Sequence, residues 1–166
     1  PRAEPTEGAD VAQLGTIYHE ILENLYRHPS VTDPRDLEQL KAALPTVARE
    51  LLASAPQELG FRETDWWQST RDEIVANLMR TLEALDKEKG QWLPHCFEAS
   101  FGRDNPATAL VLGTEHPILV HGTIDRIDVS LPHQEGQRRR LRIIDYKSGS
   151  SGAYTGPSVE KGKKLQ

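Results

Sequence analysis

The spacing of apolar residues changes once along this 166-residue chain, and that change limits the folds open to it. Up to Gly90, apolar residues recur every three or four positions, which is the period of an amphipathic helix. After Gly90 they tend to alternate with polar residues, which is the period of a β-strand. We therefore predict an α/β (α+β) fold, with a helical part over residues 10–90 and a β-meander over 91–147.

The first predicted helix covers residues 10–27. Asp10 precedes its apolar stripe and is a residue type that favours the N-cap position. On a helical wheel, His19 lies away from the centre of the stripe, on the same flank as Gly15 one turn earlier. Because glycine has no side chain, this position of the helix leaves room for a ligand to approach His19.

Two further helical segments follow. Residues 34–54 indicate one or two shorter helices, with Pro45 as a break or a first-turn residue, because proline lacks the backbone N–H that a helix interior requires. Residues 64–89 predict a longer helix, which ends at Gly90, a residue type that commonly terminates helices.

The second part of the chain predicts strands. The strand patterns are "HCFEASFG", "TALVLG", "PILVHGTIDRIDVS" and "RRLRIIDYKSG". A polar loop joins the last two, as expected for neighbouring antiparallel strands. Residues 148–166 are Gly/Ser-rich at first and then begin a helical pattern without completing it. We expect one domain over 1–166 that is truncated at its C-terminus.

Composition excludes several kinds of site. The single cysteine, Cys96, cannot form an internal disulfide or a Cys-rich metal site by itself. The net charge of −5 disfavours a broadly basic nucleic-acid surface, although residues 138–140 and 161–164 form local basic patches. We find no apolar stretch long enough to span a bilayer. These features favour a cytoplasmic, bacterial-type protein without a membrane partner.

Charged residues at the end of the last predicted strand indicate a site that could bind a divalent cation. Asp145 and Lys147 are two positions apart and therefore share one face of an extended strand. Hairpin pairing with the preceding strand can bring Asp125 beside Asp145, and a divalent cation would remove the repulsion between the two carboxylates. Oxygen ligands favour Mg²⁺ or Mn²⁺, which keep coordination positions for water and phosphate oxygens. A lysine there can orient an attacking water or neutralise developing charge.

Three sequence blocks resemble the PD-(D/E)XK nuclease superfamily, and its RecB/AddB-like branch in particular. "GTIDRID" and "IIDYKSG" resemble the D…D-x-K signature of the superfamily, and "GTIYHEILE" resembles the upstream helical G-x-x-x-H-x-x-L/I-E segment of the branch. The blocks follow in the family's order, and the resemblance extends from about Val11 to the terminus. It implies a restriction-endonuclease-like core with a mixed β-sheet flanked by helices.

The resemblance also implies a set of site residues. Asp125 and Asp145 would bind the metal together with the backbone carbonyl of Tyr146. His19 would add an imidazole ligand, which favours Mn²⁺ somewhat because imidazole is softer than carboxylate. Lys147 would position the attacking water.

Two more residues resemble positions of the branch. Glu98 matches an acidic residue on the first core strand, which we interpret as supporting the ligands or the fold. Gln166 matches the start of a Q-L-x-x-Y helix that lies near the active site. Many members of the branch carry an iron–sulfur cluster, but Cys96 matches none of its ligand positions, so this chain gives no support for a cluster.

The function implied is a metal-dependent DNA nuclease, which acts preferably on single-stranded DNA. The resemblance suggests the nuclease module of a helicase–nuclease in double-strand-break repair and recombination, with a helicase domain or subunit as partner. Two alternatives remain open. One is a non-catalytic DNA-binding or scaffold module with a degenerate nuclease fold, and the other is a stand-alone exonuclease of the CRISPR-adaptation type.

Each candidate residue also has a structural explanation when it is taken alone. A histidine on a helix is more often a surface or core residue than a ligand. Asp145 and Lys147 alone are typical of a solvated ion pair at a strand end. Arg126 lies on the opposite strand face from Asp125 and is expected to pair with Asp128. It is the combination of the three blocks that favours a site.

Overall fold

The structure is a computed structural model that describes residues 6–102, 110–112, 118–131 and 138–147. Its helices are α1 (Val11–Tyr26), α2 (Leu37–Leu59) and α3 (Trp67–Lys87). Its strands are β1 (Thr6–Glu7), β2 (Phe61–Arg62), β3 (Trp92–Phe101), β4 (Leu110–Leu112), β5 (Ile118–Val120), β6 (Gly122–Ser130) and β7 (Leu141–Ile144). Helices precede the main strands, so the predicted α/β (α+β) class is confirmed.

Helix α1 begins as its sequence predicts. The Asp10 side chain accepts a hydrogen bond from the Gln13 backbone N–H at 2.8 Å. The Gln13 side chain accepts one in return from the Asp10 N–H, also at 2.8 Å. This capping box satisfies two backbone donors that have no partner within the helix, and so fixes where α1 begins.

Helix α2 differs from the prediction, because it continues through both Pro45 and Pro56 as one 23-residue helix. Proline at 45 removes the hydrogen bond that would reach the Lys41 carbonyl. The buried residues of α2 extend to both sides of Pro45: Leu40, Ala43, Leu44, Val47, Ala48, Leu52 and Ala55. Both predicted roles of Pro45, a break or a first-turn residue, were wrong, because burial of this continuous face outweighs the loss of one backbone hydrogen bond. Gly60 then ends α2 with a φ of 74°, in the left-handed region.

The three helices share one apolar core. Its fully buried larger side chains are Ile17, Ile21, Leu22, Leu25, Leu44, Ile74, Leu78 and Leu82. Phe97 of β3 and Tyr146, just after β7, pack against this cluster from the sheet. Among the described residues, no helix combines the length and the apolar character that a membrane crossing requires.

The main sheet has three strands in the order β3, β6, β7, and both pairings are antiparallel. This arrangement agrees with a PD-(D/E)XK-like core. Within the described ranges, parallel pairing occurs only between β1 and β2, which form a separate two-stranded sheet. In the main sheet, β6 is central, so side chains on β6 have neighbours on two sides.

The sequence predicted one long strand over 117–130, but the structure divides it at His121 into β5 and β6. Strand β5 pairs with β4, whereas β6 pairs with β3 and β7. Gly102 approaches the backbone at this point so closely that a Cβ there would lie 2.5 Å from the Cβ of His121. The chain therefore changes strand partners at His121, opposite position 102, where a residue larger than glycine would clash. An alternating sequence pattern does not reveal such a contact.

Candidate active site

Acidic residues of β3, of β6 and of the chain just after β7 are expected near one level of the sheet. Arg126 of β6 pairs with Phe97 of β3 and with Ile144 at the end of β7. Extended by one position, this register would place Glu98 and Asp145 on either side of Asp125, although Asp145 follows the last residue of β7. The neighbouring β6–β7 pairs thus favour the juxtaposition of Asp125 and Asp145, which remains a prediction.

His19 of α1 reaches this level from the helical layer. Its Nδ1 lies 3.2 Å from Oε1 of Glu98. Its Nε2 lies 3.3 Å from the carbonyl oxygen of Tyr146 and 3.6 Å from Oδ2 of Asp125. A carboxylate only accepts hydrogen bonds, so the geometry favours a proton on Nδ1. The lone pair of Nε2 then faces two oxygens that are also hydrogen-bond acceptors. A proton on Nε2 or a metal ion between the three atoms would remove the repulsion among their lone pairs.

Asp125 is held in place by the chain that follows β7. The backbone N–H of Tyr146 donates a hydrogen bond to Oδ2 of Asp125 at 2.6 Å, and the Asp125 side chain is only 10% exposed. Residue Tyr146 thus fixes the carboxylate with its N–H and presents its carbonyl oxygen to the same imidazole. Two of the predicted oxygen ligands are positioned by one short backbone segment.

Glu98 has an unusual backbone conformation for a strand residue. Its φ is 48°, in the left-handed region that side chains other than glycine rarely adopt. Its carboxylate meets His19 and is 28% exposed. Such strain is often retained where it orients a functional group. Here it accompanies a side chain that contacts the imidazole.

The atoms that meet at His19 fit a divalent metal. One ligand atom from each of His19, Glu98 and Asp125 lies within 4.8 Å of the others. Cis ligands of an octahedral ion with bonds of about 2.1 Å are about 3 Å apart. The separations around Nε2 are close to that value, and one nitrogen with several oxygens suits Mn²⁺ or Mg²⁺. Glu98 suits either a ligand role or the role of accepting a hydrogen bond from Nδ1–H, which fixes the orientation of a metal-binding imidazole.

Asp145 and Lys147 lie beside this cluster, not within it. The Lys147 ammonium is 2.9 Å from Oδ1 of Asp145, and their side chains are 35% and 49% exposed. Among the described residues, the group with metal-binding geometry does not include Asp145. Its predicted role as a ligand therefore remains a prediction, whereas Glu98 contacts the imidazole, as expected for a residue that supports a ligand. Gln166 lies outside the described residues.

Comparison with known proteins identifies the family. The model of the PD-(D/E)XK nuclease superfamily matches residues 1–166. The chain belongs to the PD-(D/E)XK nuclease superfamily. Two curated relatives are both named as ATP-dependent helicase/deoxyribonuclease subunits. The protein from Clostridioides difficile is 26% identical over 144 residues, and that from Listeria welshimeri is 28% identical over 151 residues. Each match covers 82% of this chain and 12% of the relative, so the chain spans about an eighth of their length.

A buried charged network lies under the site of this nuclease domain. Asp128, which is fully buried, accepts hydrogen bonds from Nε of Arg126 at 2.6 Å and from Nη2 of Arg142 at 2.6 Å. Arg126 also donates to the Tyr26 hydroxyl of α1 at 2.8 Å. Burial by itself lowers the pKa of Arg126, but the hydrogen bond to Asp128 and its other partners outweigh burial and raise it. The guanidinium therefore stays charged and ties the sheet to α1.

The predicted pairing of Arg126 with Asp128 is confirmed, but sequence reasoning missed Arg142. Arg142 is the direct cross-strand partner of Asp128 in the β6–β7 register. A hairpin register that places Asp125 beside Asp145 also places Asp128 beside Arg142, so the signal was present in the sequence. The phenol of Tyr146 is buried near this network, and burial raises its pKa, with Arg126 opposing the shift. The hydroxyl remains protonated at neutral pH.

A cavity of about 580 Å³ opens beside the site, between α1, α3 and the chain after β7. His19, Asp145 and Lys147 contribute to its wall. Gly15, one turn before His19, also lines it, and nothing lies within 4 Å of where its Cβ would be. This open space agrees with the prediction that Gly15 leaves room for a ligand to approach His19.

Proposed function

We propose that this domain is a Mg²⁺- or Mn²⁺-dependent deoxyribonuclease that hydrolyses phosphodiester bonds by attack of water. The observation that carries the proposal is the convergence of the Tyr146 carbonyl and the Asp125 carboxylate on Nε2 of His19. Superfamily membership supports nuclease chemistry at this position. A bound divalent ion would supply Lewis-acid activation of a water and charge neutralisation on the scissile phosphate.

The residues around this point have separate roles. His19, Asp125 and the Tyr146 carbonyl would hold the ion, and Glu98 would keep the imidazole in the required orientation through Nδ1. Asp145 would add a carboxylate from its position just after β7. Lys147 places a cation beside it, where it can orient the attacking water or stabilise the negative charge that develops on the phosphate.

We further propose that the domain acts on DNA as part of a helicase–nuclease in double-strand-break repair and recombination. The names of the two relatives support this, since both describe a helicase/deoxyribonuclease. A helicase domain or subunit would then be its partner, single-stranded DNA its preferred substrate and the bacterial cytoplasm its location. Gln166, which follows the last basic segment, would lie near the active site.

The test is cleavage of labelled single- and double-stranded DNA in Mn²⁺, Mg²⁺ or EDTA. We expect metal-dependent cleavage that falls by about 10³-fold in Asp125→Asn and in Lys147→Ala, a loss comparable to removing one group that stabilises a transition state. Asp65→Asn and Lys87→Ala change exposed residues of the same types and serve as matched controls. Full activity in Asp125→Asn would contradict the proposed site.

A second candidate function is a DNA-binding module that binds metal without cleaving. The observation that favours it is the ion pair of Asp145 with Lys147, which turns both groups toward each other. Isothermal titration with Mn²⁺ separates the two functions. Binding that depends on Asp125, together with no cleavage in any metal, would favour the non-catalytic module.

A further inference from the structure

The cavity beside the candidate active site has two chemically different walls. One wall belongs to the site itself, through Asp145 and Lys147. The other is formed by α3, a helix that carries none of the motif residues. The side chains of α3 that line it include Asn77 and Arg80. A substrate strand that reaches Lys147 would therefore have α3 within the same cavity.

A chain of hydrogen bonds crosses from α1 to the far wall. Asn77 donates to the Tyr18 hydroxyl at 2.8 Å, and Arg80 donates through Nη2 to the Asn77 side-chain oxygen. Within the described part of the chain, Arg80 has no carboxylate within ion-pair distance. Its guanidinium is thus oriented by a neutral partner, and its charge is left available to an anion.

The cavity is also lined by apolar groups that reach its surface. Ala84, Leu85 and Ile144 contribute to this surface. A volume of about 580 Å³ lies in the range of small-molecule sites, which is roughly 300 to 1,000 Å³. The combination of apolar walls with a cation at each side suits a nucleotide, which has a flat base and an anionic phosphate.

We propose that this cavity binds one unpaired nucleotide of the DNA strand next to the scissile phosphate, with Arg80 binding its phosphate group. The proposal rests on the proposed nuclease function and specifies its substrate. A base that is stacked in a duplex cannot enter a recessed cavity without leaving its partner, whereas a base of a single strand can. The cavity thus gives a physical reason for a preference for single-stranded DNA.

The first test fills the cavity from an exposed position. Ala84 lines the cavity, and Ala76 is an exposed alanine of the same helix that does not. We expect Ala84→Phe to weaken binding of a single-stranded oligonucleotide by about tenfold, and Ala76→Phe to leave it unchanged. Binding is measured by fluorescence anisotropy in EDTA, which prevents metal-dependent cleavage. Equal affinities of the two variants would overturn the proposal.

The second test concerns Arg80. Each phosphate contact with a single strand contributes about 0.7 to the slope of log K against log salt. We expect Arg80→Gln to reduce that slope by about 0.7, Arg80→Lys to retain it, and Arg49→Gln, at an exposed arginine of α2, to have no effect. A change in slope reports a lost ionic contact, which a merely structural role of Arg80 would not produce. An unchanged slope in Arg80→Gln would overturn the assignment.

A third comparison tests whether the nucleotide must be unpaired. A DNA duplex that is closed by a short hairpin loop at each end has no free ends and no unpaired nucleotides outside its loops, so we expect it to bind more weakly, with an affinity that Ala84→Phe does not change. Equal weakening of the looped duplex and the single strand by Ala84→Phe would overturn the preference.

Because these titrations require no cleavage, they are independent of the nuclease assay. Cleavage by the wild type with no effect of Ala84→Phe would overturn the cavity proposal alone, whereas no cleavage in any metal would overturn the proposed function.

Discussion

The helical part and the main sheet of this domain are stabilised in opposite ways. The helical core is apolar, and side chains such as Leu44 and Ile21 are completely buried. In β6, by contrast, Asp125, Arg126 and Asp128 are buried, while the apolar Ile143 of the neighbouring strand is 65% exposed. The sheet thus buries charges and exposes a large apolar residue, the reverse of the usual arrangement.

This difference indicates that the helical core stabilises the domain, whereas the charged residues of the sheet position its side chains. Apolar burial is non-directional, so the helical core holds the domain together without fixing any single side-chain orientation. Charged hydrogen bonds depend on distance and angle, so the Arg126–Asp128–Arg142 network fixes how β6 and β7 sit against α1. The candidate site lies at the end of the β6–β7 pairing, which these charged hydrogen bonds hold in place.

The strongest test of this comparison is Asp128→Ala. It leaves the guanidinium groups of Arg126 and Arg142 without their shared carboxylate, and breaking such a buried pair costs about 3–5 kcal/mol. We expect urea unfolding to show that loss, together with weaker Mn²⁺ binding because the register that positions Asp125 is no longer fixed. Asp72→Ala, at an exposed aspartate of α3, is the control. A loss no larger than in the control would mean that the buried charges do not stabilise the sheet.

Leu44→Ala tests the helical half. Leu44 is 0% exposed, and removing such a side chain costs about 2–5 kcal/mol. Leu141→Ala makes the same chemical change in β7, where the side chain is 67% exposed, and we expect a cost below about 0.5 kcal/mol. Urea unfolding measures both. Mn²⁺ affinity in the absence of urea should stay the same in both variants, and similar costs at the two positions would contradict the comparison.

Glu98→Gln tests positioning without removing bulk. The Gln side-chain oxygen can still accept a hydrogen bond from Nδ1–H of His19, but it lacks the negative charge. We expect Mn²⁺ affinity to fall about 10- to 100-fold, as is typical when a group that supports a metal ligand is changed, with little change in unfolding. Calorimetric titration beside Glu50→Gln, at an exposed glutamate of α2, provides the measurement and the control. Unchanged affinity would remove Glu98 from the site.

The smallest expected effect is at Glu20 of α1. Partial burial raises its pKa above the ordinary 4.5, and Glu58 and Glu23 raise it further. The folded state therefore holds this proton more tightly than the unfolded state, so the ionised carboxylate destabilises the fold as the pH rises above 4.5. We expect Glu20→Gln to add roughly 0.3 kcal/mol at pH 7, because solvent still screens this half-buried group, and nothing at pH 4. Equal gains at both pH values would contradict the charge explanation.

Much of the architecture was predictable because it depends on local periodicity and capping. The Asp10 cap and the stripe of α1 were recognised from sequence, and so were the main strands. Pro45 was misinterpreted because its local cost is outweighed by a long buried face. The division of the long strand at His121 depends on a backbone contact with Gly102, about 20 residues away, which no local pattern encodes.

By itself, the sequence determined which residue types are available for chemistry and their order along the chain: a histidine on a helix, and an aspartate followed by D-x-K on two strands. Strand alternation and hairpin register then predicted that Asp125 lies beside Asp145. Only the tertiary structure decided that Glu98 contacts His19, that Asp145 pairs with Lys147, and that Arg80 lines the same cavity. Periodicity fixes the face of an element from which a side chain projects, whereas side-chain contacts between elements depend on how those elements pack.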